Sequence, residues 1–510
     1  MAKEQREISV SEFFTKNRHL LGFDNPAKAL LTTIKEAVDN SMDACEEASI
    51  LPDLLVEVSQ LAEDRFRVAV EDNGPGIVRN QIPKVFGQLL YGSKFHRLRQ
   101  SRGQQGIGIS AAGMYGQITT GKPVVILSRI GKRKAAHHFE IQIDTRRNVP
   151  VVAVDREVEW EGVNHGTRVG IELEATYRKG SRSVDAYLEQ TVLVNPHLRL
   201  EYRPPKGDPQ IFERATKNLP HEPMEIRPHP HGVELGILMR MLADTKSRNV
   251  RGFLTSEFSR VSPRSAKEIL DRAGIRDTTS PRMVHRNDAE ALFRAIGQTK
   301  LMAPPTNCLA PIGEDLLEAS LREQVGANFF AASTRRPAVY RGNPFQIEVA
   351  LAFGGDLSAD DPISVYRFAN RVPLLYQHGA CAVTKAVLET AWRNYELQQS
   401  RGALPIGPMI LLIHIASVWV PFTSESKEAI AHYPEILKEI KLALQECGRK
   451  LAMHIRRGKR EREAERKRSY IEKYIPHIGI ALREILELSE KQEQKIVTTL
   501  RDTLERSRKM

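Results

Sequence analysis

The sequence predicts an α+β protein built in successive parts, and three observations lead there. A long amphipathic helix pattern is followed by strand-like alternation and glycine-rich loops. After a proline-rich break come short helical patterns, and then strands return ahead of an almost wholly helical ending. The 510 residues, 41% hydrophobic and 27% charged, suit several folded units, since one domain usually takes ~100 to 200 residues. A net charge of +12 favours a polyanionic partner such as nucleic acid over an acidic small substrate. Cys45, Cys308, Cys381 and Cys447 are scattered without a CxxC pair, which argues against a zinc ribbon or a disulfide framework and for reduced thiols in the cytoplasm. The opening MAKEQREISV lacks the apolar core of a signal peptide. The strongest apolar run, 409–420, contains His414 and Ser417 and falls short of the ~20 residues that span a bilayer. It reads as a buried strand, and no membrane association is expected.

Residues 26–48 form the clearest helix. Asp24 and Asn25 are candidate caps, Pro26 suits the first turn, and Leu30, Leu31, Ile34, Ala37 and Val38 recur on one face. Strand patterns follow at 54–59, 66–70, 124–128, 138–143 and 167–173. YRPPKGDP and RPHPHG, around 202–230, mark a boundary. VELGILMRMLAD, VRGFLTSEF and SPRSAKEILDRAG then read as short helices, with Pro263 just inside the last. Strands return in PFQIEVALAF, ISVYRFANRVPLLY and PMILLIHIASVWVPF. A helix at about 383–398 lies between the second and third, which implies a crossover. After Lys427 the pattern is helical nearly to the end, with breaks expected at Pro434 and Pro476 and an excess of Lys and Arg over 456–468. No internal repeat is evident.

Two phosphate-loop patterns are set aside. GQITTGK at 116–122 is followed by Pro123 where a Ser or Thr would bind magnesium, and then by a strand rather than a helix. Gly106, Gly108 and Ala111 fit GxGxxA, but RQSRGQQ before them is no strand. Four other features belong together. Glu36 and Asn40 stand one turn apart on the long helix and share a face. Asp72, Gly74 and Gly76 follow a strand directly, presenting a carboxylate beside a backbone that can approach a ligand. RGQQGIGIS at 102–110 leads into a helix whose first N–H groups can hold phosphate. Gly166 and Thr167 open a strand. Each alone is ordinary: a solvated helix edge, a DNG turn, a flexible loop. Their order and spacing are not.

In these features the chain resembles the GHKL ATPases, whose Bergerat-type ATP domain carries an ExxDN box, DxGxG, a glycine-rich lid and GT before a strand. The match runs over about residues 26–175. The resemblance implies ATP and Mg2+ as cofactors. It implies that Glu36 is the general base for water attack, that Asn40 is the metal ligand, and that Asp72 reads the adenine amino group. Thr167 would support Asp72 or a water at the base. Gly74 and Gly76 would line the base pocket, and Ser93, Lys94, Arg102, Gly103, Gln104, Gln105, Gly106, Ile107, Gly108 and Ile109 would form the lid. The lid departs from the family in lacking an aromatic near its centre.

The helical block after the ATP domain resembles the helix-two-turns-helix insert of the B-subunit family of type IIB DNA topoisomerases, the topoisomerase VI group. TNCLAPIGE, RRPAVYRGNPFQIEVALAFGG, YRFANRVPLLYQHGACAVTKAV and VWVPFTSESKEAIA continue that resemblance. It implies an ATP-binding domain over 1–230, the helical insert over 231–306, an α/β transducer over 307–468, and a helical segment over 469–510 that contacts an A subunit. Lys427 in PFTSESK matches the transducer lysine that reaches the γ-phosphate; as an ordinary residue it would be a first-turn helix lysine, unfavourable there without an anion. The implied machine is an A2B2 heterotetramer in which ATP closes a B homodimer around double-stranded DNA and the A subunit cleaves. No acidic DxD cluster or DNA-cleaving tyrosine context is legible in this chain. Lys and Arg over 246–272 and 456–468 could meet DNA phosphates or simply be solvated helix faces. The runner-up reading is a GHKL-type chaperone or repair clamp that binds protein, against which the helical insert argues. A non-hydrolysing scaffold is opposed by Glu36 and Lys427.

Overall fold

The computed structural model describes residues 12, 16–92, 97–103 and 106–506. Two units divide the chain, residues 1–390 with 400–447, and residues 391–399 with 448–510.

In the first unit, helix α1 (Pro26–Glu47) begins where the sequence places it: the Asn25 side chain accepts from the Lys28 N–H at 2.9 Å, and Pro26 occupies the first turn. Strands β1 (Asp53–Gln60) and β2 (Arg65–Asp72) follow, then α2 (Ile82–Gly87), α3 (Gly108–Thr120), β3 (Val124–Arg129), β4 (Ala136–Asp144), β5 (Val149–Val158), β6 (Gly166–Glu174), α4 (Val184–Val194), β7 (Arg199–Arg203) and β8 (Gln210–Phe212). They form one eight-stranded sheet in the order β5-β4-β3-β6-β2-β1-β7-β8. β1 pairs with β7 in parallel, whereas its pairing with β2 is antiparallel. Ile34, Val38 and Met42 of α1 join Val56, Val70, Ala112 and Leu188 in a single core, so α1 is clamped along one face and its opposite edge is left for a ligand. The set-aside GQITTGK run ends helix α3, where Gly121 takes the left-handed cap with φ 70°.

The helical block contains α5 (Leu235–Asp244), α6 (Val250–Glu257), α7 (Pro263–Ala273) and α8 (Arg286–Gln298). Its own core unites Leu238, Phe253, Leu254, Ile269 and Leu292. The sequence patterns indicate the first three helices and miss α8, whose buried stripe of Ala289, Leu292, Ala295 and Ile296 is small and interleaved with arginine. Helix α9 (Glu314–Gln324) leads into β9 (Phe329–Thr334), β10 (Ala338–Tyr340), β11 (Asn343–Phe353), β12 (Ser364–Ala369), β13 (Val372–Pro373), α10 (Ala382–Glu389) and β14 (Met409–Ser417). β14 is fully buried, as the apolar run requires, with β11 antiparallel on one side and β12 parallel on the other. Helix α10 supplies the expected crossover between β12 and β14 but ends at Glu389 rather than near 398. Thr390 there turns its hydroxyl back onto the Ala386 carbonyl at 2.8 Å, the local competition that disfavours continuing a helix.

Helix α11 (Pro434–Leu486) crosses into the second unit at Gly448, and α12 (Glu490–Arg506) follows. The helix begins at Pro434 rather than just after Lys427, and it is not broken at Pro476. Pro434 is the first helical residue, where its missing N–H costs nothing. Pro476 lies inside the helix; one lost backbone bond, worth about 3 kcal/mol, does not outweigh the uninterrupted turns on either side. Among the described residues no helix is long and apolar enough to cross a membrane.

Candidate functional site

A cavity of about 570 Å³ lies between the free edge of α1, the end of β2, the start of α3 and two loops of the second sheet. That size falls in the ~300 to 1,000 Å³ range of small-molecule sites. Asp72, at the last position of β2, anchors one end. Its buried carboxylate accepts from the Ser41 hydroxyl at 2.8 Å, the Gly74 N–H at 2.9 Å and the Thr167 N–H at 3.1 Å. The antiparallel pairing of β2 with β6 sets Asp72 opposite Thr167, which is why residues so far apart in sequence meet. Burial raises the Asp72 carboxyl to about 6, with the three hydrogen bonds pulling the other way. The Thr167 hydroxyl shares a hydrogen bond with Ser128 Oγ at 3.2 Å. Gly76 needs to be glycine: its φ is 71°, and a Cβ there would sit 2.1 Å from the Arg129 carbonyl oxygen.

At the other end Glu36 and Asn40 project from α1, Glu36 half-buried and Asn40 exposed. Gly108 opens α3 against Glu36, and a Cβ on it would fall 1.7 Å from a Glu36 carboxylate oxygen. No side chain caps this helix start, so its first N–H groups remain available to an anion. One turn inward, Asp39 is buried and receives the Tyr187 hydroxyl at 3.2 Å. Its carboxyl is raised to about 7 by burial, with Lys35 acting against.

The second sheet contributes residues 373–376, after β12, and 425–428, after β14. Lys427 is in a tight turn with φ 53° and not in the first turn of a helix. Burial pulls its ammonium below the usual range, while Glu36 and Asp39 favour the charge. Burial is the larger effect. Next to it Glu428 bonds Lys28 at 2.6 Å, and the Tyr376 ring lies 5.3 Å from the same ammonium.

Glu36, Asn40, Asp72, Gly76, Gly103, Gly106, Ile107, Gly108, Ile109, Thr167 and Lys427 all line this one cavity. Gly74 does not, but its N–H holds Asp72. Arg102 does not either: its guanidinium is buried against Asp43 at 3.0 Å, Glu46 at 2.7 Å and Asn195 at 2.6 Å. The chain turns between Arg102 and Gly103, so the lid stem is anchored on α1 while the glycine faces the cavity. Ser93, Lys94, Gln104 and Gln105 lie outside the described residues. Sequence reasoning passed over Ser41, Lys28, Tyr376 and Glu428. Ser41 could have been found, because it stands next to Asn40 on the Glu36 helix; the others are brought in only by tertiary packing.

Residues 25–176 match the family described as histidine kinase-, DNA gyrase B-, and HSP90-like ATPase, and residues 304–467 match the family described as topoisomerase VI B subunit, transducer. The chain is 50% identical over 488 residues to the B subunit of type 2 DNA topoisomerase 6 from Methanococcoides burtonii, covering 96% of this chain and 78% of that one. It is 46% identical over 501 residues to the protein of the same name from Archaeoglobus fulgidus, covering 98% and 83%. The ATPase region of Saccharomyces cerevisiae topoisomerase II aligns with a TM-score of 0.41 at 12% identity, covering 89% of this chain and 100% of that one.

Proposed function

Since this chain belongs to the B-subunit family of type 2 DNA topoisomerase 6, we infer that it is the ATP-hydrolysing component of an ATP-dependent type II DNA topoisomerase, and that the cavity is its nucleotide site. The observation that carries the assignment is that Glu36 and Lys427, from opposite ends of the chain, line the same cavity as the hydrogen-bonded Asp72. Asp72 accepts the adenine amino group through a lone pair not used by Ser41, Gly74 and Thr167. The first turn of α3 and the glycines 103–108 hold the phosphates. Glu36, close to that helix start, takes the proton from the attacking water. Lys427 meets the γ-phosphate.

A magnesium ion, when bound, would neutralise charge on the phosphates. Among the described residues no group of three or more His, Cys, Asp or Glu could hold a metal, and the chemistry of one exposed amide, Asn40, fits an ion carried mainly by nucleotide oxygens.

ATP then favours one arrangement of transducer and ATP domain over another, because Lys427 distinguishes the triphosphate from the diphosphate. Two copies of the chain close around a DNA duplex, and cleavage falls to the A subunit of an A2B2 assembly acting at the nucleoid. In this reading the ATP-binding domain is 1–230, the helical insert 231–306, the transducer 307–468, and 469–510 the segment that meets the A subunit. Exposed Ile471, Tyr474, Ile478 and Ile485 suit that last contact. Exposed Lys246, Arg248, Arg264 and Lys267 suit DNA phosphates. The test is relaxation of supercoiled DNA by the chain with its A subunit, alongside sedimentation of the chain with and without a non-hydrolysable ATP analogue. ATP-dependent relaxation and an analogue-induced dimer are expected. A mass unchanged by the analogue contradicts the clamp.

A further inference from the structure

Lys28 is a cation in the first turn of α1, the end of a helix where positive charge is least favoured, and it is buried as well, with 8% of its surface exposed. Two carboxylates hold it there. Asp24, one turn earlier, lies 2.9 Å from the ammonium, and Glu428 of the transducer lies 2.6 Å from it. Glu428 is itself only 7% exposed and immediately follows Lys427. The Tyr376 ring packs over the same ammonium, and Arg367 fixes that second transducer loop by donating to the Leu374 and Tyr376 carbonyls, both at 2.7 Å.

The turn carrying Lys427 has a closed stem, with the Thr423 N–H bonded to the Ala429 carbonyl at 2.9 Å and the Lys427 N–H to the Ser424 carbonyl at 3.1 Å. Its left-handed φ is one that a non-glycine residue keeps when its surroundings impose it. Buried ion pairs add little net stability, and their best-attested use is to fix one arrangement among several. This pair joins the start of the helix that bears Glu36 to the residue next to Lys427.

We propose that Lys28 and Glu428, which both line the cavity, act as a latch that positions Lys427 at its phosphate end rather than as contacts to the nucleotide. The inference rests on the reading of Lys427 given above. Removing the latch lets the turn wander, and a displacement of about 1 Å in a reacting group can cost up to a hundredfold in rate.

The test uses the full chain with its A subunit and measures steady-state ATP hydrolysis and nucleotide affinity. Glu428→Gln and Lys28→Met are each expected to lower kcat about tenfold or more and to weaken binding of a non-hydrolysable ATP analogue, while ADP affinity stays within about twofold of wild type. Lys28→Arg, which keeps the cation between the two carboxylates, recovers most of that loss. Placed on Lys427→Ala, Glu428→Gln weakens affinity for the non-hydrolysable ATP analogue no further, because the latch acts only through the lysine. Melting curves show which variants are folded, and either single variant suffices for the comparison. Wild-type kcat in a folded Glu428→Gln or Lys28→Met chain, when Lys427→Ala is inactive, overturns the latch alone. Additive losses in the double variant overturn it too. Wild-type turnover in Lys427→Ala overturns the reading of Lys427 and the latch with it.

Discussion

At one end of the cavity Asp72 is buried, and its carboxylate is met by a serine hydroxyl and two backbone N–H groups from the β2 end and from β6. At the other end Asn40 is exposed, the start of α3 has no side-chain cap, and Lys427 holds a charge that burial disfavours. The first end is held by hydrogen bonds within the protein; the second presents helix N–H groups and a cation. On the proposed reading, such a site recognises the base by preorganisation and couples phosphate chemistry to domain position through charges that the nucleotide meets. Changes at the two ends should therefore separate recognition of the base from recognition of the γ-phosphate and turnover.

The largest separation is expected from Glu36→Gln. The amide keeps the shape against Gly108 but cannot accept a proton, so ATP hydrolysis should fall by about 10² to 10⁴ while nucleotide affinity stays near wild type. Undiminished turnover would remove Glu36 from its role.

Arg102→Met probes the stem between the two ends. The Arg102 guanidinium keeps the Glu46 carboxyl well below the usual range despite burial, and without it Asp43 and Glu46 are left as buried charges. A stability loss of about 3 to 5 kcal/mol is expected by denaturant unfolding, with ATP affinity of the folded fraction little changed. A tenfold weaker affinity at unaltered stability would instead make Arg102 a phosphate contact.

At the base end Asp72→Asn should weaken ATP binding about ten- to a hundredfold, the effect of losing a charged acceptor, while leaving the fold no less stable. The amide oxygen can still accept from Gly74 and Thr167, and its NH2 can donate to Ser41. The sign follows from the raised carboxyl: its folded value of about 6 exceeds the ordinary 3.8. Its contribution to stability is therefore present below pH 4 and lost as pH rises through about 6. At neutral pH the ionised group costs about 3 kcal/mol, which the amide avoids. Melting temperatures should favour the variant at pH 7 and converge with wild type near pH 4. For the same reason wild-type ATP affinity should decline below pH 6, as protonation weakens Asp72 as an acceptor. A variant less stable than wild type at pH 7 would mean that the carboxylate holds this end together.

The part of the site carried by α1 and β2 was the more legible in sequence. Asn25 and Pro26 mark the start of α1, the helical period puts Glu36 and Asn40 on one edge, and Asp72 sits where a strand pattern stops. Such signals are local, within a few residues of what they position. Strand β5 was missed because it lies at the sheet edge with Val149, Val151 and Val152 exposed, so its valines do not alternate with polar residues. Arg102 shows the converse. Its place beside Gly103 suggested the lid, yet its length and charge carry it back to Asp43 and Glu46. Lys28, Tyr376 and Glu428 had no local signature, since what makes them functional is a contact between segments about 350 to 400 residues apart, a separation no periodicity records.

On the proposed reading Lys427 belongs to the phosphate end and recognises the γ-phosphate. Equilibrium titration of ADP and of a non-hydrolysable ATP analogue into wild type and Lys427→Ala tests this directly. Analogue affinity should be about tenfold or more weaker in the variant, from a lost charge-assisted bond of about 1.5 to 3 kcal/mol, with ADP affinity unchanged. Equal losses for both nucleotides, or none for either, would contradict it.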